Sequence, residues 1–161
     1  MGEDRGLRIG VDRQDRGIFD DEGASHLIWT VVLTVSAYRD KTADAWMPER
    51  PALVGVDGYN KIATSPARAL SFEELFQPAV DFAVAAGRAV FIGETGCQER
   101  PGDPSYKADW IAAVPAALRR WKRCVAVVWN HSDDGDGGWY LDSSRPSLSA
   151  FRAIARDPQF T

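Results

Sequence analysis

Polar side chains that can do chemistry follow three apolar runs in this chain. They are Asp57, Tyr59 and Asn60 after the run ending at Val56, Glu94 after the run ending at Gly93, and Asn130 and His131 after the run ending at Trp129. A carboxylate such as Glu94 can serve as a nucleophile or a general acid or base, and the other groups can orient it or bind a polar ligand. Because the carboxyl ends of parallel strands lie at one edge of a sheet, we expect these residues to converge on one site.

The elements that would position these residues form a repeating strand and helix pattern. Apolar, β-branched runs at 27–35, 52–56, 88–93 and 124–129 are typical of strands buried on both faces. The last three begin about 35 residues apart, which leaves room for a helix after each strand. The pattern predicts an α/β fold with a parallel sheet.

The predicted helices have recognisable ends. Ser71 and Glu74 have the spacing of a capping box, which predicts a helix that runs to Ala86 and stops at Gly87. A second helix is expected from about residue 103 to Trp121, with a kink or break at Pro115. A last helix is expected to begin near residue 144 or 146.

Composition excludes several classes of function. The chain has 161 residues, a net charge of −4 and a pI of about 5.2, which argues against nucleic acid or anionic membranes as main partners. No apolar run reaches the ~18 residues of a membrane span, and no secretory signal is visible. No glycine-rich phosphate fingerprint follows a strand. The two cysteines lack metal-ligand spacing and are expected to be free thiols.

Residues 1–25 differ from the rest. Eleven of these 25 residues are charged and few are apolar, so we expect a mostly disordered or loosely attached segment. Residues 26–161 are expected to form the folded unit.

Three blocks of sequence carry a family resemblance. Their order and spacing together are more specific than any one of them. The blocks are Leu53–Asn60 with Ser71–Phe76, Val90–Gly96 with Lys107–Ile111, and Ala126–Asn130 with Trp139 and Asp142–Ser144. Over about residues 26–158 the chain resembles the last strands of glycoside hydrolase family 26, the endo-β-1,4-mannanase-like family.

The resemblance implies a partial (β/α)8 (TIM) barrel with strands five to eight, and a retaining glycosidase. In that family pattern Glu94 is the nucleophile and Tyr59 orients it. Substrate contacts would come from Asp57, Asn60, Trp129, Asn130, His131 and Trp139, with Trp129 as a stacking platform for a sugar. The substrate would be a β-1,4-linked polysaccharide, mannan first and glucan second. No metal or organic cofactor is implied, and the parent enzyme would be extracellular.

The family's acid/base residue has no counterpart in this sequence. It would follow strand four, upstream of His26, where Glu3 and Glu22 do not follow strand-like runs. A retaining glycosidase needs two carboxyl groups roughly 5–5.5 Å apart. A half-barrel also exposes sheet edges, so we expect it to dimerise, to pair with a missing half-barrel, or to aggregate. The alternatives are a non-catalytic carbohydrate-binding protein and an inactive truncated gene product.

Several of these residues also have simpler interpretations. Glu94 could be a surface carboxylate, Tyr59 a core tyrosine, Asp57 a turn residue, and Trp129 barrel packing. His131 departs from the family pattern and is either a loop histidine or a substrate donor, and Trp139 is a further candidate for lining the cleft. The acidic loop at Asp133, Asp134 and Asp136 lacks the Glu that would complete a calcium loop, which favours a solvated loop.

Overall fold

Four parallel strands form one sheet in this chain. The computed structural model describes residues 17–24, 26–48, 51–62, 69–133 and 138–160. The strands are β1 (Thr30–Thr34), β2 (Leu53–Asn60), β3 (Ala89–Cys97) and β4 (Cys124–Trp129). They are paired in the order β1-β2-β3-β4, all parallel. The predicted α/β class and the sheet of four parallel strands are confirmed.

Helices occupy the connections between strands and follow the last one. They are α1 (Val35–Arg39), a short 3-10 helix (Ala43–Ala45), α2 (Phe72–Ala85), α3 (Tyr106–Ala112), α4 (Val114–Trp121) and α5 (Arg145–Ile154). The capping box of Ser71 and Glu74 is formed at the start of α2. The predicted long helix is broken at Ala113, because Pro115 has no amide hydrogen and lies in the first turn of α4. Helix α1 was not predicted from the sequence.

All of these α-helices pack on one face of the sheet. Alternate strand residues point to opposite faces. Those facing the helices join a single cluster of buried side chains with Tyr38 of α1, Phe76 of α2 and Trp110 of α3. The strand residues in this cluster or packed against it are Val31, Leu33, Val54, Val56, Val90, Ile92, Cys97, Cys124, Val127 and Trp129.

The opposite face of the sheet has no helical cover among the described residues. Val32 of β1 and Val128 of β4 are 39% and 45% exposed, and Phe91 of β3 lies outside the buried cluster. A Cβ atom at Gly55 would lie 2.8 Å from the Val32 side chain, which places both residues on this side. We call this surface, defined by Val32, Gly55, Phe91 and Val128, the open face.

The strands β2 and β3 extend further than the sequence predicted. The apolar runs end at Val56 and Gly93, yet pairing continues to Asn60 and Cys97. The register between the two strands shifts after Val56, so that Asp57 pairs with Glu94 and Gly93 is the extra residue of a β-bulge. The polar residues expected beyond the strands therefore lie within them, and their side chains are fixed by the pleat.

The remaining expectations have mixed outcomes. Cys97 is buried, Cys124 is half-buried and both thiols are free, as predicted. Residues 17–21 are helical and exposed, whereas residues 1–16, Asp134 and Asp136 lie outside the described ranges. No helix within those ranges is both long and apolar enough to cross a membrane.

Candidate functional site

A hydrogen-bonded group of three polar side chains occupies the carboxyl ends of the last three strands. Tyr59 donates its hydroxyl to Glu94 Oε2 at 2.5 Å, and Asn130 Nδ2 donates to the Tyr59 hydroxyl at 2.8 Å. Asn130 is held in turn by Ser132, whose hydroxyl is 2.8 Å from Asn130 Oδ1. We call Tyr59, Glu94 and Asn130 the carboxylate network. It brings together residues that are 35 and 71 positions apart in sequence.

The β-bulge at Gly93 directs Glu94 to the same side as Tyr59. Asp57 pairs with Glu94 and Tyr59 with Gly96, so these side chains emerge on the open-face side of the sheet. A Cβ atom at Gly93 would lie 2.8 Å from Asp57 Oδ1 and 3.3 Å from the Val32 side chain. Glycine is therefore needed at position 93 to keep the bulge and the orientation of Glu94.

Asp57 lies beside Glu94 on the neighbouring strand. Burial raises the pKa of Asp57 above its ordinary value, the nearby Glu94 charge raises it further, and the Glu94 backbone amide acts in the opposite direction. Asp57 Oδ1 is buried without a hydrogen-bond partner among the described residues. Two carboxyl groups thus lie side by side on neighbouring strands.

Tyr59 is held in a protonated, donating state. Burial and the hydrogen bond to Glu94 raise its pKa above the ordinary tyrosine value, while the bond from Asn130 acts in the opposite direction. The Tyr59 ring packs on the Trp139 ring with centroids 4.6 Å apart. Trp139 is 1% exposed and also covers Gly96, where a Cβ atom would lie 2.8 Å from the indole. Trp139 therefore supports Tyr59 and presents no free ring face.

Asn60 and Trp129 do not join the network. Asn60 is 2% exposed on the helical side, where its amide donates to Leu70 O, the Tyr106 hydroxyl and Cys97 Sγ. We predicted that Asn60 contacts the substrate. The structure places its side chain on the other face of the sheet, because strand alternation turns it away from Tyr59.

Trp129 also faces the helices. Its Nε1 donates to Trp139 O at 2.9 Å, and its ring meets those of Trp110 and Phe151 edge to face. The ring lines an apolar cavity between β4, α4 and α5 of about 280 Å³. The packing interpretation of Trp129 fits this position, and the sugar-stacking role does not, because the ring lies on the side of the sheet opposite to Glu94.

His131 fixes a loop. Its Nδ1 accepts the backbone N–H of Leu141 at 3.0 Å, its ring meets Tyr140, and its Nε2 is 3.9 Å from Asp142 Oδ1. His131 is exposed, but its polar atoms contact this loop rather than the carboxylate network. No group of three or more His, Cys, Asp and Glu residues in the described ranges could hold a metal ion.

Sequence reasoning missed the residues that support the network. Gly93, Gly96 and Ser132 each fix one of its members, as described above. A glycine inside a strand is a known signal of a bulge or of a close approach, so Gly93 and Gly96 were detectable in principle. Ser132 carries no such signal, because its role depends on how the chain turns after β4.

Because the pKa of Asp57 is raised, we predict that removing its charge increases the stability of the fold, by an amount that depends on pH. A carboxyl group whose pKa is raised in the folded chain stabilises the fold at pH values below its ordinary pKa of 3.8. This stabilisation is lost as the pH rises through the pKa of the folded state. Asp57→Asn should therefore gain stability relative to the unmodified chain as the pH rises above the ordinary value of 3.8, measured by urea unfolding at a series of pH values. Asp109→Asn, at an exposed position, is the control. A stability difference that does not grow with pH would contradict this interpretation.

Comparison with known proteins does not identify a family. Neither the family models nor the curated proteins give a match to this chain. What the chain does is therefore argued from the geometry of Tyr59, Glu94 and Asn130, beside the resemblance carried by its sequence blocks.

Proposed function

We propose that this chain carries the nucleophile half of a retaining glycoside hydrolase that acts on β-1,4-linked polysaccharide, mannan first and glucan second. The observation that carries the proposal is the hydrogen bond from Tyr59 to Glu94 at the carboxyl ends of neighbouring parallel strands. A carboxylate that is exposed on one side and held by a phenol on the other has the requirements of a covalent nucleophile.

Under this proposal the network residues have separate tasks. Tyr59 holds Oε2 of Glu94, so Oε1 is the oxygen that attacks the anomeric carbon. The new C–O bond forms as the glycosidic bond breaks, and a second carboxyl group must protonate the leaving oxygen. Asn130 fixes the tyrosine hydroxyl as a donor towards Glu94.

Asp57 does not have the position of the second carboxyl group. It pairs with Glu94 on the adjacent strand, and its Oδ1 is buried against Gly93. The leaving oxygen is on the opposite side of the sugar from the nucleophile. We therefore propose that the acid/base comes from a separate structural unit that faces Glu94.

The sheet order supports a partial (β/α)8 barrel. Each connection moves one strand further in the same direction, and the helices of the described residues cover one face. In a barrel the other face is the packed interior. The open face and the two unpaired edges of β1 and β4 would then belong to a closed eight-stranded sheet.

A second copy of this chain is the partner we propose for the open face. A two-fold axis along the strands would pair β4 of each copy with β1 of the other, and would place apolar Val32 and Val128 in the shared interior. Glu94 of the second copy would then stand across the barrel mouth as the second carboxyl group.

Sedimentation equilibrium tests whether two copies of the chain form a dimer. We expect a dimer for the unmodified chain and a monomer for Val128→Lys, because a charge in the barrel interior has no partner. Val84→Lys, on an exposed valine of α2, is the matched control and should leave the dimer intact. A folded monomer at every concentration would overturn the homodimer and assign the open face to a different polypeptide.

Covalent labelling tests the nucleophile. Incubation with activated β-mannosides and β-glucosides that carry fluorine next to the anomeric carbon should give one glycosyl adduct, seen by intact mass. A good leaving group needs little acid, and fluorine slows release of the intermediate. The adduct should be absent in Glu94→Gln. Losing a hydrogen bond to a charged group costs about 1.5–3 kcal/mol, so Tyr59→Phe should slow labelling by roughly tenfold to a hundredfold.

Two results of the labelling would contradict the proposal. An adduct that persists in Glu94→Gln would place the nucleophile elsewhere. Strong oligosaccharide binding by folded protein without any adduct, unchanged in Glu94→Gln, would favour the non-catalytic carbohydrate-binding alternative.

A further inference from the structure

A buried lysine lies at the centre of a polar cluster beside the carboxylate network. Lys107, in the first turn of α3, is 0% exposed. Its ammonium donates to Tyr140 O at 2.7 Å and to the Ser143 hydroxyl at 3.0 Å. A buried charge is costly unless it is hydrogen-bonded and compensated, so this residue needs the surrounding contacts.

Glu99 provides the compensating charge. Its Oε1 accepts from Ser143 at 2.6 Å and from Ser147 at 3.0 Å. Burial lowers the pKa of Lys107, and the nearby Glu99 charge acts in the opposite direction. We call Glu99, Lys107, Ser143 and Ser147 the lysine cluster. It joins the segment after β3, the start of α3, the segment before α5 and the first turn of α5.

The cluster fixes the segment that carries Trp139. Lys107 binds the carbonyl of Tyr140, the next residue along the chain. The Trp139 backbone N–H donates to Ser132 O at 2.8 Å, and its carbonyl accepts from Trp129. Trp139 thereby meets the Tyr59 ring at 4.6 Å, and Tyr59 holds Glu94. Contacts thus run without a gap from Lys107 to the carboxylate.

We propose that Lys107 is a positioning residue for Glu94, acting through Tyr140, Trp139 and Tyr59. The ammonium never reaches the substrate, because it is enclosed between α3 and the segment before α5. It holds Trp139 against the Tyr59 ring, which keeps the Tyr59 hydroxyl within hydrogen-bonding distance of Glu94 Oε2. The consequence for the reaction rests on the proposed glycosidase function, whereas the consequence for Tyr59 does not.

The first test measures the hydrogen bond between Tyr59 and Glu94 by proton NMR. The hydroxyl proton of Tyr59 should give a low-field proton NMR resonance that disappears in Tyr59→Phe. Lys107→Met keeps the length of the side chain but removes its charge. In this variant we expect the resonance to be lost, or its proton to exchange with water about tenfold faster, because the packing of Trp139 on the Tyr59 ring loosens. Lys41→Met, at an exposed lysine remote from the cluster, should leave the resonance unchanged.

The second test measures the rate of glycosyl adduct formation. A misplacement of about 1 Å costs up to about a hundredfold in rate, so adduct formation in Lys107→Met should slow by roughly tenfold to a hundredfold. If Lys107→Met does not fold, Ser143→Ala replaces it, because Ser143 is exposed and its loss breaks the link between Lys107 and Glu99. This variant should change the resonance in the same direction.

The outcomes separate this proposal from the proposed function. An unchanged Tyr59 resonance in a folded Lys107→Met or Ser143→Ala variant would overturn the positioning role. A resonance that responds as expected, in a protein whose unmodified form gives no adduct, would support the positioning role and reject the glycosidase.

Discussion

The hydrogen bond between Tyr59 and Glu94 depends on two strands staying paired beyond the end of their apolar runs. Strand β2 continues through Asp57 to Asn60, and β3 continues through Glu94 to Cys97, with Gly93 as the extra residue between them. The bulge turns Glu94 towards the side of Tyr59, where the Tyr59 hydroxyl donates to its carboxylate. Every other feature of the site follows from this local irregularity of an otherwise regular parallel sheet.

The arrangement places uncompensated polar groups next to a highly apolar helical core. Asp57 and Glu94 are neighbouring carboxyl groups, and Asp57 Oδ1 has no partner among the described residues. Such a group costs stability, which the fold recovers where α2 and α3 pack on Val54, Val56 and Ile92. Buried polar atoms without a partner among the described residues, here Asp57 Oδ1 and Thr95 Oγ1, often mark a functional site.

The sequence predicted the parallel sheet better than the directions of individual side chains. The buried runs and their spacing of about 35 residues led to the parallel sheet, and Ser71 and Pro115 marked helix ends that the structure contains. Asn60 and Trp129 were grouped with the site because they follow or end an apolar run. Their faces depend on where the pleat continues and where the register shifts, and neither is visible in the run itself. The lysine cluster was not foreseen, because its members come from distant segments whose meeting depends on how α3 and α5 pack.

Azide rescue of Glu94→Ala tests the central claim most directly. With dinitrophenyl β-mannoside as substrate, removal of the carboxylate leaves space for azide to attack the anomeric carbon from the side that Glu94 occupied. We predict α-mannosyl azide, identified by NMR, from the variant and not from Tyr59→Phe, which keeps Glu94. Folded Glu94→Ala that gives no α-mannosyl azide would show that Glu94 is not the nucleophile of this site.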